Sequence, residues 1–216
     1  MILEEYYKKE NQVYFKNSRP EMLEFLPDSF STVLDIGCGE GDLLMSIIHK
    51  HPNVEAWGVE PFADLSIEYQ SKLKKLIKNS VENAIVELPD NYFDVIYMND
   101  VLEHLIDPEG VLLKLKSKLT QNGLIITSIP NMRYIRNLKH LIWDKNFEYE
   151  DFGIRDKTHL RFFTRKSIIT MFNRLGYEIV KIEGINKDIK STLIKVFSLG
   201  TLSDTVYLQY CTVVKK

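Results

Sequence analysis

The sequence predicts an α/β fold built on a parallel sheet, and two observations carry that prediction. Short apolar runs alternate with stretches of helical spacing, and a glycine-rich loop follows the first run directly. TVLDIG (32–37), VEAWGVE (54–60), FDVIYMN (93–99) and GLIITSIP (123–130) are near-continuous apolar segments of the kind buried on both faces of a sheet. Between them, 42–50, 62–77 and 108–119 have helix-like spacing, which makes βαβ units the economical reading. Asp107 and Pro108 form an N-cap followed by proline at the first helical position, and Asn122-Gly123 is a turn signal before the fourth run.

After Pro130 the rhythm changes. Residues 131–164 are rich in aromatic and charged side chains and contain no clear buried strand. A structureless loop of that length is uncommon in a compact domain, so a helix plus an ordered lid is expected there. A helix follows over 165–175, with Thr164 as N-cap and Gly176 just past its end. YEIVKIEGI (177–185) and TVYLQYCTVV (205–214) are predicted strands. The whole chain, 1–216, is expected to be one domain, with residues 1–30 as an N-terminal helical cap and 131–164 as a substrate lid.

Composition supports a folded domain. Of 216 residues, 44% are hydrophobic and 27% charged, which excludes a disordered chain. Ten glycines and seven prolines are too few for a fibrous protein. A net charge of −2 disfavours a dedicated nucleic-acid binder. Cys38 and Cys211 form no disulfide framework and suit a reducing cytoplasm. The N-terminus has no apolar signal core, no run is long enough to span a bilayer, and nothing in the sequence signals peripheral membrane association.

The loop Asp35-Ile36-Gly37-Cys38-Gly39-Glu40-Gly41 lets the backbone turn tightly against a ligand. The nicotinamide-cofactor fingerprint would require glycine at position 42, where Asp42 stands. That carboxylate at a helix N-terminus disfavours a pyrophosphate, so the loop favours a ligand without phosphate, one carrying positive charge. Glu60, 21 residues after Gly39, is placed to accept hydrogen bonds from both hydroxyls of a ribose.

On VLDIGCGEG (33–41), GVEP (58–61), LPDNYFDVIYMNDVLEHL (88–105) and NGLIITSIPN (122–131), the chain resembles class I S-adenosylmethionine-dependent methyltransferases. The resemblance implies a Rossmann-like, doubly wound seven-stranded sheet, mostly parallel with an antiparallel last strand, helices on both faces and a lid insertion. It implies that Asp35, Gly37, Cys38, Gly39 and Gly41 line the methionine part of S-adenosylmethionine. Glu60 would hold the ribose beside Pro61. Phe62, Ser80 and Val81 would border the adenine, with Ser80 where many relatives have Asp. Asn99 would sit near the sulfonium. Tyr6, Tyr7 and Tyr14 either cover the cofactor or pack against the sheet.

A sulfonium is already activated, so the protein must align the acceptor, exclude water and accept a proton, with S-adenosylhomocysteine as the product. Asp100, Glu103 and His104 share one face if a helix starts there. His159 lies in DKTHLRFFT (156–164). This set resembles the E-x-x-E-H…H metal site of small-RNA 2′-O-methyltransferases, with Asp100 shortening the first arm by a methylene. V-L-E-H-L with D-x-T-H-L-R-F-F-T is also similar to bacterial methyltransferases of cell-surface glycan and small-molecule biosynthesis, and the Glu-His pair to ubiquinone-biosynthesis O-methyltransferases. Three roles stay open: His159 as general base with His104 and Glu103 beside it, one divalent metal on Asp100, Glu103, His104 and His159, and a structural cap and lid anchor.

Residues 153–166 hold Arg155, Lys157, Arg161, Arg165 and Lys166 against one acid, Asp156. Arg155 and Arg161, with Tyr134, are the candidate substrate contacts, suited to a phosphate of a nucleotide-linked or phosphorylated sugar. The alternative is a solvated face with internal ion pairs. The expected function is methylation of a hydroxyl on a small molecule, a sugar or sugar-containing cell-surface glycan precursor, by a cytoplasmic monomer or homodimer. The competing readings are a metal-dependent RNA 2′-O-methyltransferase and a non-catalytic S-adenosylmethionine-binding domain.

Overall fold

The computed structural model describes residues 19–188 and 200–216. Seven strands, β1 (Thr32–Ile36), β2 (Glu55–Val59), β3 (Lys75–Ile77), β4 (Phe93–Asn99), β5 (Leu119–Pro130), β6 (Glu178–Lys187) and β7 (Tyr207–Lys215), form one sheet in the order β3-β2-β1-β4-β5-β7-β6. All neighbouring pairs from β3 to β5 are parallel, while β7 runs antiparallel to both β5 and β6. The predicted sheet with an antiparallel last strand is therefore the observed one. The chain winds outward in opposite directions from β1 and β4, so a crevice opens at their carboxyl ends, where such sheets bind ligands.

Alternation along each strand divides the core between the two faces. Leu34, Ile36, Ile96 and Met98 pack on one side with Leu112 of α4 (Pro108–Leu115) and Phe172 of α6 (Arg165–Arg174). Val33, Val95 and Tyr97 pack on the other with Leu44 and Ile47 of α1 (Asp42–Lys50). The buried Tyr97 hydroxyl donates to the Met22 carbonyl at 2.9 Å, fixing the 3-10 helix Pro20–Phe25 to that face. The remaining helices are α2 (Ile67–Lys72), α3 (Val81–Ala84) and α5 (Ile135–Ile142).

The caps read from sequence form as expected. Asp107 accepts from the Gly110 amide, and Thr164 and Ser167 make a reciprocal capping box at α6. Three expectations need correction. The stretch 62–77 is not one helix: α2 buries no residue, and Lys75–Ile77 instead pairs with Trp57–Val59 as β3. Its apolar residues belong to a sheet neighbour that periodicity cannot see. The helix expected over 108–119 ends at Leu115.

Asn122-Gly123, read as a turn before the fourth strand, lies inside β5. Here the register with β4 slips between Phe93, opposite Leu119, and Val95, opposite Leu124. A Cβ on Gly123 would stand 2.7 Å from the Phe93 carbonyl oxygen, so glycine permits the close approach that the bulge demands. Of the N-terminal cap expected over 1–30, the described part is the 3-10 helix. Residues 1–18, with Tyr6, Tyr7 and Tyr14, lie outside the described residues.

Candidate active site at the sheet crevice

The glycine loop leaves β1 at the crevice. Gly37 has φ +76°, and a Cβ there would lie 2.6 Å from Cγ2 of Val101, so a side chain is excluded on both counts. The Gly37 and Cys38 amides donate to the Val59 carbonyl at 2.8 and 3.3 Å, tying the loop to the end of β2. The Cys38 side chain turns into the core, where burial pushes its thiol pKa well up, so this residue offers the site only its backbone.

The Val59 junction delivers Glu60 into the loop. Its carboxylate accepts from the Gly39 amide (3.3 Å) and the Phe62 amide (3.1 Å). Burial raises the Glu60 pKa, and those two amides oppose the rise. Asp35 is fully enclosed beside it, and burial, reinforced by the Glu60 charge, raises its pKa to about 8. The Arg19 charge opposes the Asp35 shift without cancelling it, and the two buried acidic groups fit a positively charged ligand. Ser80 precedes α3 with its hydroxyl unused as a cap, and Val81 is buried beneath it. Pro61 is exposed and Phe62 half-buried at the same edge.

Asn99 ends β4. Both polar atoms of its amide are buried with no hydrogen-bond partner, a costly state unless a ligand completes it. Val101, against Gly37, then carries the chain into a 3-10 turn, Leu102–His104, rather than the α-helix expected. The turn brings Glu103 and His104 to His159 of the lid, and ligand atoms of all three lie within 4.8 Å of one another. The two imidazole rings meet edge to face, 4.7 Å between centroids.

The lid fixes both rings through Nδ1. Thr158 donates its hydroxyl to Asp156 at 2.6 Å, so it accepts from Nδ1–H of His104 at 3.0 Å. His159 donates Nδ1–H to the Ile154 carbonyl at 3.0 Å. Each Nε2 is thereby turned into the cluster, and that of His159 stands 4.0 Å from Glu103. Glu103 is 1% exposed and its carboxylate oxygens have no partner. Burial, then the Asp100 charge, raise its pKa well above the usual range. Burial lowers the His104 pKa to about 4, keeping that ring neutral at pH 7. Asp156 and Thr158 were not assigned a role from sequence, although D-x-T is the signature of the side chain-to-backbone turn that Thr158 N–H makes on Asp156 at 2.7 Å.

Residues 7–182 match the family described as a methyltransferase domain. The chain belongs to the methyltransferase-domain family. Its fold is that of S-adenosylmethionine-dependent methyltransferases of known structure. An uncharacterized methyltransferase of Schizosaccharomyces pombe is 29% identical over 55% of this chain and 45% of its own length. The mitochondrial ubiquinone biosynthesis O-methyltransferase of Candida albicans is 31% identical over 52% of this chain and 36% of its own. The chain thus spans less than half the length of these two curated relatives. A S-adenosylmethionine-dependent methyltransferase from Archaeoglobus fulgidus superposes with a TM-score of 0.64 at 21% identity, covering 87% of each chain. The orphaned Asn99 amide, the bare Gly37 backbone and the Glu60 and Asp35 carboxylates all fit the cofactor.

The remaining site expectations for this methyltransferase divide unevenly. Asp100, expected with the metal ligands, is outside the Glu103–His104–His159 group. It adopts φ +53° and its carboxylate is taken by Arg19, Gln209 and Ser128. Arg19 and Gln209 carry no sequence signal for this role. Arg155, expected at the substrate, is buried and paired with Glu150, and Lys157 pairs with Asp151. Arg161 donates to the carbonyls of Leu160 and Ile106, and the buried Tyr134 reaches Asp188 at 3.4 Å. These side chains hold the lid together, the alternative that internal ion pairs represented.

The Asp35 shift has a measurable consequence. Below pH 8 the free protein holds Asp35 largely protonated, so a role for Asp35 in holding a ligand ammonium would require its ionisation. Affinity for S-adenosylhomocysteine should therefore rise with pH, by up to about tenfold per unit below 8. The rise should flatten above pH 8, where Asp35 is fully ionised. Calorimetric titration across this range, with Asp35→Asn flattening the profile, checks it. A flat wild-type profile removes Asp35 from ammonium binding.

Proposed function

We propose that this methyltransferase methylates a hydroxyl of a small molecule, a sugar or sugar-containing cell-surface glycan precursor, with His159 as the proton acceptor. The observation that carries this reading is a buried histidine whose Nδ1 is held by the Ile154 carbonyl, which leaves its Nε2 turned toward Glu103. The cofactor supplies an electrophilic methyl group on a sulfonium. The protein would align the acceptor oxygen with it, and the Asn99 amide, at the end of β4, is assigned to the neighbourhood of the sulfonium because both its polar atoms are buried without a hydrogen-bond partner. As oxygen attacks the methyl carbon, the carbon–sulfur bond gives its electron pair to sulfur, and the hydroxyl proton passes to Nε2 of His159. Neutral His104 and Glu103, whose burial disfavours its charged form, stand beside His159. Alignment in a closed site is worth up to about 7–11 kcal/mol, and the base about 10²–10⁴ in rate.

A second reading is favoured by the unpartnered Glu103 carboxylate between two imidazoles. These three residues fit a divalent ion, with Thr158 and the Ile154 carbonyl fixing the rings from behind. Such an ion would lower the pKa of a coordinated hydroxyl. Formation of S-adenosylhomocysteine with nucleotide-linked or phosphorylated sugars, before and after EDTA, tests both. Turnover that survives EDTA supports the base alone, and loss restored by added divalent metal supports the ion. Turnover with RNA alone, or with no acceptor at all, overturns the small-molecule reading.

A further inference from the structure

The outer face of the lid carries large apolar side chains in solvent. Trp143 is 81% exposed, Phe152 73% and Ile142 68%. Phe147, Tyr149 and Phe162 form a half-exposed ring cluster, with Phe147 5.9 Å from Tyr149 and 6.0 Å from Phe162. A concentration of exposed aromatic and aliphatic surface of this kind marks an interaction site. The charge around it is equally uneven. Residues 131–166 hold nine Lys and Arg against five Asp and Glu, a surplus of four positive charges, while the chain as a whole stands at −2. The rest of the molecule is therefore at −6. Helix α5 contains no acidic residue, presents Lys139 to solvent beside the exposed Arg136, whose guanidinium pairs with Asp188, and runs into Ile142 and Trp143 at its end.

We propose that this face of the lid docks on an anionic lipid bilayer. A tryptophan and a phenylalanine project from short irregular segments beside a basic amphipathic helix. Such a surface has no fixed complementary shape to match, but it suits the headgroup boundary, where indole rings lodge and lysine and arginine meet anionic lipid. The opposite sign of charge on the rest of the chain orients the approach, lid first. The docking face is continuous with the active site: the amides of Leu160 and Arg161, just before Phe162, both donate to the Glu103 carbonyl. Docking therefore sets the acceptor side of the crevice against the bilayer. The surface argument stands apart from which acceptor is methylated.

The full chain mixed with vesicles of phosphatidylcholine, or of phosphatidylcholine with phosphatidylglycerol, tests the proposal. The protein should sediment with the anionic vesicles and less so with the neutral ones, and added salt should weaken binding. The chain has two tryptophans, and Trp57 is 8% exposed in the core, so a blue shift of emission on binding reports Trp143. The double substitution Ile142→Ser with Phe152→Ser, at exposed positions, should lower vesicle partitioning by about tenfold or more with no change in melting temperature. Failure to bind anionic vesicles overturns the proposal, as does equal binding by the substituted protein. A wild-type dimer that the same substitutions convert to monomer, without vesicle binding, also overturns it and assigns the face to a second copy of the chain.

Discussion

Replacing His159 with alanine should lower kcat by about two to four orders of magnitude, the usual contribution of a general base, while S-adenosylhomocysteine affinity stays near the wild-type value. Asp35, Glu60 and Asn99, the groups proposed for the cofactor, sit at the strand ends, whereas His159 comes from the segment after β5 and meets His104 ring to ring. Because His159 is buried and holds the Ile154 carbonyl, alanine also removes a lid anchor. His159→Asn separates the two effects. Its amide can donate from near the Nδ1 position, but the Nε2 lone pair is gone. Both variants should be equally slow, and the asparagine protein should melt close to wild type. Full turnover by either variant with the true acceptor would remove His159 from the chemistry and leave it a structural residue.

Replacing Glu60 with alanine should weaken S-adenosylhomocysteine binding about a hundredfold. Hydrogen bonds to a charged acceptor contribute about 1.5–3 kcal/mol each, and losing two ribose hydroxyl contacts gives at least about 3 kcal/mol, or two orders of magnitude. The free protein hardly suffers from the change, because the Gly39 and Phe62 amides that Glu60 accepts from are only partly buried and can turn to water. Glu60→Gln, which keeps one acceptor oxygen and loses the charge, should fall between. Calorimetry on the three proteins reads this directly. An unchanged affinity in Glu60→Ala would mean that the ribose is held elsewhere.

The central half of the sheet was legible in the sequence because its strands are buried on both faces and so appear as unbroken apolar runs. FDVIYMN coincides with β4 to the residue. The glycine loop and Glu60 were legible for a related reason, since tight backbone approach and a fixed spacing leave residue-level marks. What sequence could not show depends on partners far along the chain. Three residues of β3 become a strand only beside β2, and no local pattern announces them. Asp100 looked like a ligand by its spacing from Glu103, yet its fate is decided by Arg19, 81 positions earlier, and Gln209, 109 positions later. For the basic stretch of the lid the sequence left a phosphate site and internal ion pairs both open, because which acids reach Arg155 and Lys157 depends on the fold, which pairs them with Glu150 and Asp151.

The carbonyl of Glu103 accepts two lid amides, from Leu160 at 2.8 Å and Arg161 at 3.0 Å, while the same residue's carboxylate lies 4.0 Å from Nε2 of His159. Recognition and reactivity are thus written on one peptide unit. A molecule too large or too small to let the lid settle would shift the proton-handling cluster along with it. Discrimination among acceptors would then register as lost turnover more than as lost binding, and new acceptor preferences could arise through changes in the lid while the sheet and its cofactor crevice stay as they are.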